Sequence, residues 1–143
     1  MIVTKVLIVD DEEDFANALA ERMRNRDLQV DIVGNGEEAI NSVSEKAYDA
    51  IVLDMIMPGL DGIETLKQIL SINPDLQVIL LTGRGTIEKG VEAVKYGAFE
   101  FLEKPVKFDV LFSKIEKAKS AKIALTEERT NDMIDKIMRS KGW

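Results

Sequence analysis

A chain of 143 residues, 45% hydrophobic and 31% charged, fits one soluble globular domain, since domains usually run ~100–200 residues. Its 19 Lys and Arg against 26 Asp and Glu leave a net charge of −7, which disfavours nucleic acid and anionic membrane surfaces as partners. Cys and His are absent, so disulfides, zinc fingers, thiol nucleophiles, serine–histidine triads and a phosphohistidine on this chain are excluded.

Met1-Ile2-Val3-Thr4 leads straight into a strand-like run, so no signal peptide is expected. No apolar run nears the ~20 residues of a membrane span, and a cytoplasmic location is the expectation. Five short apolar runs follow, at residues 6–9, 30–33, 50–53, 78–81 and 99–102. Between them apolar residues recur at helical spacing: Phe15, Ala18, Leu19 and Met23; Ala39, Ile40 and Val43; Ile63, Leu66, Ile69 and Leu70; Ile87, Val91 and Val94; Leu111, Ile115 and Ala118. Strands alternating with helices predict an α/β fold with a parallel sheet.

The first, third and fourth runs are apolar throughout, as central strands covered on both faces must be. The second and fifth carry Asp31 and Glu100 in alternation, which suits edge strands with one wetter face. Right-handed crossovers then give strand order 2-1-3-4-5, a flavodoxin-like doubly wound sheet with helices on both faces and a crevice at the switch between strands 1 and 3. Turn signals at Gly34-Asn35-Gly36, Pro58-Gly59-Leu60-Asp61-Gly62, Asn73-Pro74-Asp75 and Gly83-Arg84-Gly85 separate the elements. The last unit ends near Ala121, so residues 1–121 form the domain and residues 122–143 a helical tail or truncated linker. Thr126 is the expected N-cap of that tail, and Met133, Ile134, Ile137 and Met138 its buried stripe. Residues 113–143 carry 8 basic against 5 acidic side chains, too mild a bias for a DNA reader.

Strand C-terminal ends meet at one edge of a parallel sheet. Asp10-Asp11, with Glu12 and Glu13 next, follows the first strand, Asp54 the third, Thr82 the fourth and Lys104-Pro105 the fifth. Carboxylates gathered there repel by about 4 kcal/mol per pair at ~4 Å and an effective dielectric of ~20, so a positive partner is required. Mg²⁺ suits hard oxygen ligands with room for water, and Lys104 adds a second cation. A carboxylate so placed can attack phosphorus, and the Thr82 hydroxyl could bond a phosphoryl oxygen. The plain alternative is that Asp11 or Glu12 caps a helix, Asp54 is a loop acid, Thr82 ends a strand and Lys104 is solvated.

These residues resemble the receiver domain of two-component response regulators. The resemblance rests on Val6-Leu7-Ile8-Val9-Asp10-Asp11-Glu12, on Asp54-Met55-Ile56-Met57-Pro58-Gly59-Leu60-Asp61-Gly62, on Leu81-Thr82-Gly83, and on Gly97-Ala98-Phe99-Glu100-Phe101-Leu102-Glu103-Lys104-Pro105. It covers residues 4–121. The resemblance implies that Asp54 is the phosphoacceptor, and that Asp10, Asp11, Asp54 and the Ile56 backbone carbonyl hold Mg²⁺ (or Mn²⁺). It implies that Lys104 contacts the phosphoryl group, that Thr82 and Phe101 form the switch, and that Lys104-Pro105 is a cis peptide. Its implied donor is a sensor histidine kinase or phosphotransfer protein. The implied output runs through the face of the fourth helix, fifth strand and fifth helix to a downstream protein, a missing output domain or a homodimer, the tail being a second dimer surface.

Ile56 is apolar where many members carry a polar side chain, and Arg84 is basic. Residues 90–98 resemble receivers of the nitrogen-regulator class. The rival readings are a pseudo-receiver that binds partners without phosphorylation and a Mg²⁺-dependent aspartyl-phosphate phosphohydrolase. The first typically lacks one of the acids or the lysine, all present here. The second wants an Asp at position 56. No turnover of small substrates is expected, only the chain's own phosphorylation and dephosphorylation.

Overall fold

The computed structural model describes residues 3–57, 59, 61–83 and 87–140. Met1, Ile2, Pro58, Leu60, Arg84, Gly85 and residues 141–143 of the tail, all named above, lie outside them. Strands and helices alternate: β1 (Lys5–Val9), α1 (Glu13–Arg24), β2 (Gln29–Val33), α2 (Gly36–Glu45), β3 (Ala50–Asp54), α3 (Gly62–Ile72), β4 (Val78–Thr82), α4 (Ile87–Lys95), β5 (Glu100–Glu103) and α5 (Phe108–Ser140). The five strands form one parallel sheet in the order β2-β1-β3-β4-β5, as the charge pattern of the apolar runs requires.

Strand alternation divides the core in two, because successive side chains leave opposite faces of the sheet. Val6, Ile8, Val52, Ile79 and Leu81 pack against α1 and α5 through Leu19, Met23, Leu111 and Ile115. Leu7, Val9, Ile51, Leu53 and Leu80 pack against α2, α3 and α4 through Val43, Leu66, Ile69 and Ala93. Caps fix two of the helices: the Asn35 carboxamide oxygen accepts from the Glu38 N–H, and the Asp61 carboxylate from the Glu64 N–H. Each such cap is worth about 1 kcal/mol.

Three local expectations are corrected. In α1 the buried alanines are Ala16 and Ala20, while Ala18 faces solvent. In α4 the stripe Ile87, Val91 and Val94 points outward, and the residues packed on the sheet are Gly90 and Ala93. The reason lies in β5, whose Phe101 supplies the bulk beneath the helix so that only small residues fit above it. In the C-terminal segment, α5 runs unbroken past Ala121 to Ser140. Thr126 is therefore mid-helix, its hydroxyl donating to the Lys122 carbonyl rather than capping. Met133, Ile134, Ile137 and Met138 are exposed, not buried.

The extension is fastened at the end of the sheet opposite the crevice. Lys119 donates to the Thr4 hydroxyl at 2.8 Å, Lys122 to the Tyr48 carbonyl at 2.7 Å, and Arg129 pairs with Asp75 at 3.0 Å. No helix among the described residues is long and apolar enough to cross a membrane.

The edge charge on β2 is held by a buried phenol: the Tyr48 hydroxyl donates to Asp31 Oδ2 at 2.7 Å, with Lys46 at 3.3 Å. That hydrogen bond, helped by Lys46, holds the Asp31 carboxyl below its usual range, while burial and then the Asp31 charge push the Tyr48 phenol up to about 12. Tyr48→Phe is expected to cost about 1 kcal/mol at pH 7, because Asp31 is half-exposed and the bond is partly screened. A carboxylate with a depressed folded pKa contributes stability above its unfolded value, ~3.9, and loses it as pH falls through the folded one. The deficit of the variant in urea unfolding should therefore vanish in acid.

Candidate functional site

The C-terminal ends of β1, β3 and β4 reach one rim because the strands run parallel in a close register: Val9 lies beside Leu53, Asp54 beside Leu81 and Thr82 beside Glu103. The residue after β1, Asp10, is still held to the sheet by its N–H donating to the Val33 carbonyl at 3.1 Å. Its carboxylate, 2% exposed, accepts from the Glu12 N–H at 2.9 Å. Asp54 closes β3 and is 6% exposed, with the Ile56 N–H directed at Oδ1 at 3.4 Å.

Lys104 enters from the far side. Its N–H donates to the Thr82 carbonyl at 2.7 Å, and the following peptide to Pro105 is cis, as the resemblance implied. The Lys104 Nζ then lies 3.3 Å from Asp10, 3.7 Å from Asp54 and 3.7 Å from Glu12, and 4.5 Å above the Phe15 ring. Residues ninety-odd positions apart are thus joined by one ammonium group.

The electrostatics follow from this crowding. Burial, followed by the neighbouring charge of Asp10, pushes the Asp54 carboxyl up to about 6, with Lys104 and the Ile56 N–H pulling the other way. Burial also works against the charge on Lys104, but the Asp54 and Asp10 carboxylates outweigh it and hold the amine above its ordinary value.

Asp10, Glu12 and Asp54 each offer a carboxylate oxygen within 4.8 Å of the others. Three hard oxygen donors at that spacing fit a divalent cation that keeps part of its water shell, and such an ion would relieve the repulsion that raises Asp54. Glu12 enters this group although the sequence offered it only as a helix cap; it holds the N-cap position of α1 without a side-chain cap bond, which leaves its carboxylate for the rim. Its signal was its place directly after Asp10-Asp11, which the Asp10–Glu12 hydrogen bond turns back toward the rim.

Other anticipated residues are placed less directly. Asp11 is exposed and lines, with Asp10, Glu13 and Asn35, an open cleft of about 460 Å³ beside the triad. Its charge still acts on Asp54. Thr82 is buried at the end of β4, its hydroxyl donating to the Leu102 carbonyl at 3.4 Å and so turned toward β5. Ile56 is 62% exposed at the mouth. Phe101 is half-buried against the core on the α4 side of the sheet.

A doubly wound parallel sheet thus carries an acidic, lysine-bridged rim at the C-terminal ends of its strands. Residues 6–116 match the family model described as the response regulator receiver domain, and the chain belongs to that family. It is 36% identical over 113 residues to the transcriptional regulatory protein ZraR of Escherichia coli K12, covering 79% of this chain and 26% of that protein. It is 36% identical over 120 residues to a putative NtrX-like response regulator of Rickettsia bellii, covering 82% of this chain and 25% of that one. The chain spans about a quarter of the length of these relatives. Among solved structures, a response regulator receiver domain protein of Clostridium thermocellum superposes with a TM-score of 0.83 at 32% identity, covering 86% of this chain and 99% of that one. NtrX of Brucella abortus in complex with ADP superposes with a TM-score of 0.84 at 29% identity, covering 90% of this chain and 30% of that one.

Proposed function

We propose that this receiver accepts a phosphoryl group on Asp54 from the phosphohistidine of a sensor histidine kinase or phosphotransfer protein. One observation carries the reading: a carboxylate shielded from water, its ionisation opposed by Asp10, sits 3.7 Å from the lysine amine that neutralises it. An Asp54 oxygen forms the bond to phosphorus as the donor's P–N bond breaks in line. Lys104 moves its contact from Asp54 to the incoming phosphoryl oxygens, and the Thr82 hydroxyl turns from Leu102 toward them. Asp10, Asp11, Asp54 and the Ile56 carbonyl, with Glu12 as a further donor, would hold Mg²⁺ (or Mn²⁺), which when bound supplies charge neutralisation to the phosphoryl oxygens.

The added charge, about −2, biases Thr82, Phe101 and the face of α4, β5 and α5 toward a second arrangement read by a downstream protein or an attached output domain. The outward Ile87, Val91 and Val94 give that face an apolar surface for a partner. Homodimerisation through it, or through the exposed Met133, Ile134, Ile137 and Met138, is the accompanying reading. Residues 1–121 act as the receiver and residues 122–143 as its tail, in the cytoplasm, without direct nucleic-acid binding. Its only catalysis is of its own phosphorylation and dephosphorylation.

The test is incubation with Mg²⁺ and acetyl phosphate followed by intact mass. A gain of one phosphoryl group that chelator prevents supports the reading. No gain marks an interaction module, and sustained phosphate release from varied esters marks a hydrolase.

A further inference from the structure

The glycine at position 90 sits inside a helix, where glycine is about 1 kcal/mol worse than alanine. Nothing in the turn geometry of α4 calls for it, since the left-handed residue ending the helix is Gly97, with φ +114°. The reason lies below the helix. A Cβ at position 90 would stand 2.7 Å from Cδ2, 2.8 Å from Cγ and 3.2 Å from Cε2 of the Phe101 ring. Cγ is bonded to Cβ and cannot be swung aside as the tip of a long side chain can; only a χ1 change of Phe101, or lifting of α4, would relieve the contact.

The rest of α4 grips the sheet weakly. Its buried residues are Gly90 and Ala93, while Ile87, Val91 and Val94 face outward. Its C-terminal end is closed by the turn that follows, the Ala98 N–H donating to the Ala93 carbonyl and the Gly97 N–H to the Val94 carbonyl, both at 3.0 Å. Within the helix, Ala93 is sealed in the core and Gly90 lies directly on the Phe101 ring.

We propose that Gly90 is the seat of the Phe101 ring: α4 lies this close to β5 with the ring in this rotamer only because position 90 carries no Cβ. The inference rests on the receiver reading for its meaning, since it makes Gly90 the positioning residue of the face that the phosphoryl group is proposed to switch. Its geometry stands without that reading.

The experiment is a double-mutant cycle on unphosphorylated protein, with urea unfolding and amide NMR of α4. Gly90→Ala should raise the unfolded-to-folded ratio by about tenfold, as overpacking does, despite the better helix former. In a Phe101→Ala background the same substitution should lower that ratio, because the ring is gone and only the helix preference remains. The α4 amides and the Phe101 ring carbons of Gly90→Ala should also shift from their wild-type positions. This second readout decides the matter if Phe101→Ala fails to fold. Equal effects of Gly90→Ala in both backgrounds, or unmoved Phe101 ring resonances, would overturn the proposal. Phosphoryl uptake by intact mass is read separately: wild type that takes up none defeats the receiver reading, and the cycle still decides the seat.

Discussion

Asp54→Asn is expected to take up no phosphoryl group and, in metal-free buffer at pH 7, to be more stable than the parent. The loss follows from removing the attacking oxygen. The gain in stability follows from the cost of the charge. Burial and Asp10 hold the Asp54 carboxyl at about 6, so at pH 7 the folded parent carries an anion that its surroundings disfavour. Roughly two pKa units above the unfolded value correspond to at most about 3 kcal/mol.

The sign is set by proton binding. Between pH ~4 and ~6 the folded parent retains a proton that the unfolded chain has released, so the parent's stability from this group is full below that window and is lost as pH rises through it. Urea unfolding should therefore show the Asn variant ahead at pH 7 and the lead narrowing as pH falls toward 4. Saturating Mg²⁺ should reverse the order, since the parent keeps a ligand that the variant has lost. A variant less stable than the parent without metal would mean that Asp54 is not under repulsion, and the chemical argument for its reactivity would fall with it.

The strand order was legible because it depends on a coarse property, namely whether a run tolerates water on one face. Asp31 and Glu100 alone distinguish edge from centre, and both lie on edge strands. The meeting of Asp10, Asp54 and Lys104 was legible for a related reason: parallel strands deliver their ends to one rim whatever the loops do.

What failed depended on neighbours distant in sequence. The apolar stripe of α4 looks like a buried face until Phe101 from β5 is placed beneath it. Helical periodicity gives the spacing of a stripe but not which side meets the sheet. The exposure of Ile134 and Ile137 escaped for the same reason: an amphipathic stripe has the same spacing whether its partner is this domain or another surface. The continuity of α5 through Thr126 was hidden because a threonine serves as a cap or, as here, bonds back to the carbonyl four residues earlier. Glu12 read only as a cap because its place at the rim arises from its N–H donating to the Asp10 carboxylate within a turn, which spacing alone does not reveal.

Lys104→Gln should make the stability of the domain depend more strongly on a divalent cation. The ammonium group faces three carboxylates, and the two behind it are almost sealed from water, with side chains 1% exposed at Asp10 and 7% at Asp54. Breaking a buried pair by removing one partner costs about 3–5 kcal/mol. Lys104 is itself 21% exposed, so water will repay part of this, and about 2 kcal/mol is expected in metal-free buffer at pH 7. The measurement is the urea midpoint with and without Mg²⁺. The parent should gain modestly from the ion and the glutamine variant several-fold more in its folding equilibrium, because the ion then replaces the missing cation as well as binding its ligands. Asp10→Asn in the same chain should reduce the lysine's contribution, leaving Asp54 and Glu12 to face it, since neighbouring charges in one network do not act additively. If Lys104→Gln costs the same with Asp10 intact or replaced, the lysine is packing against Phe15 rather than balancing the acids, and the rim's electrostatic account would need another cation.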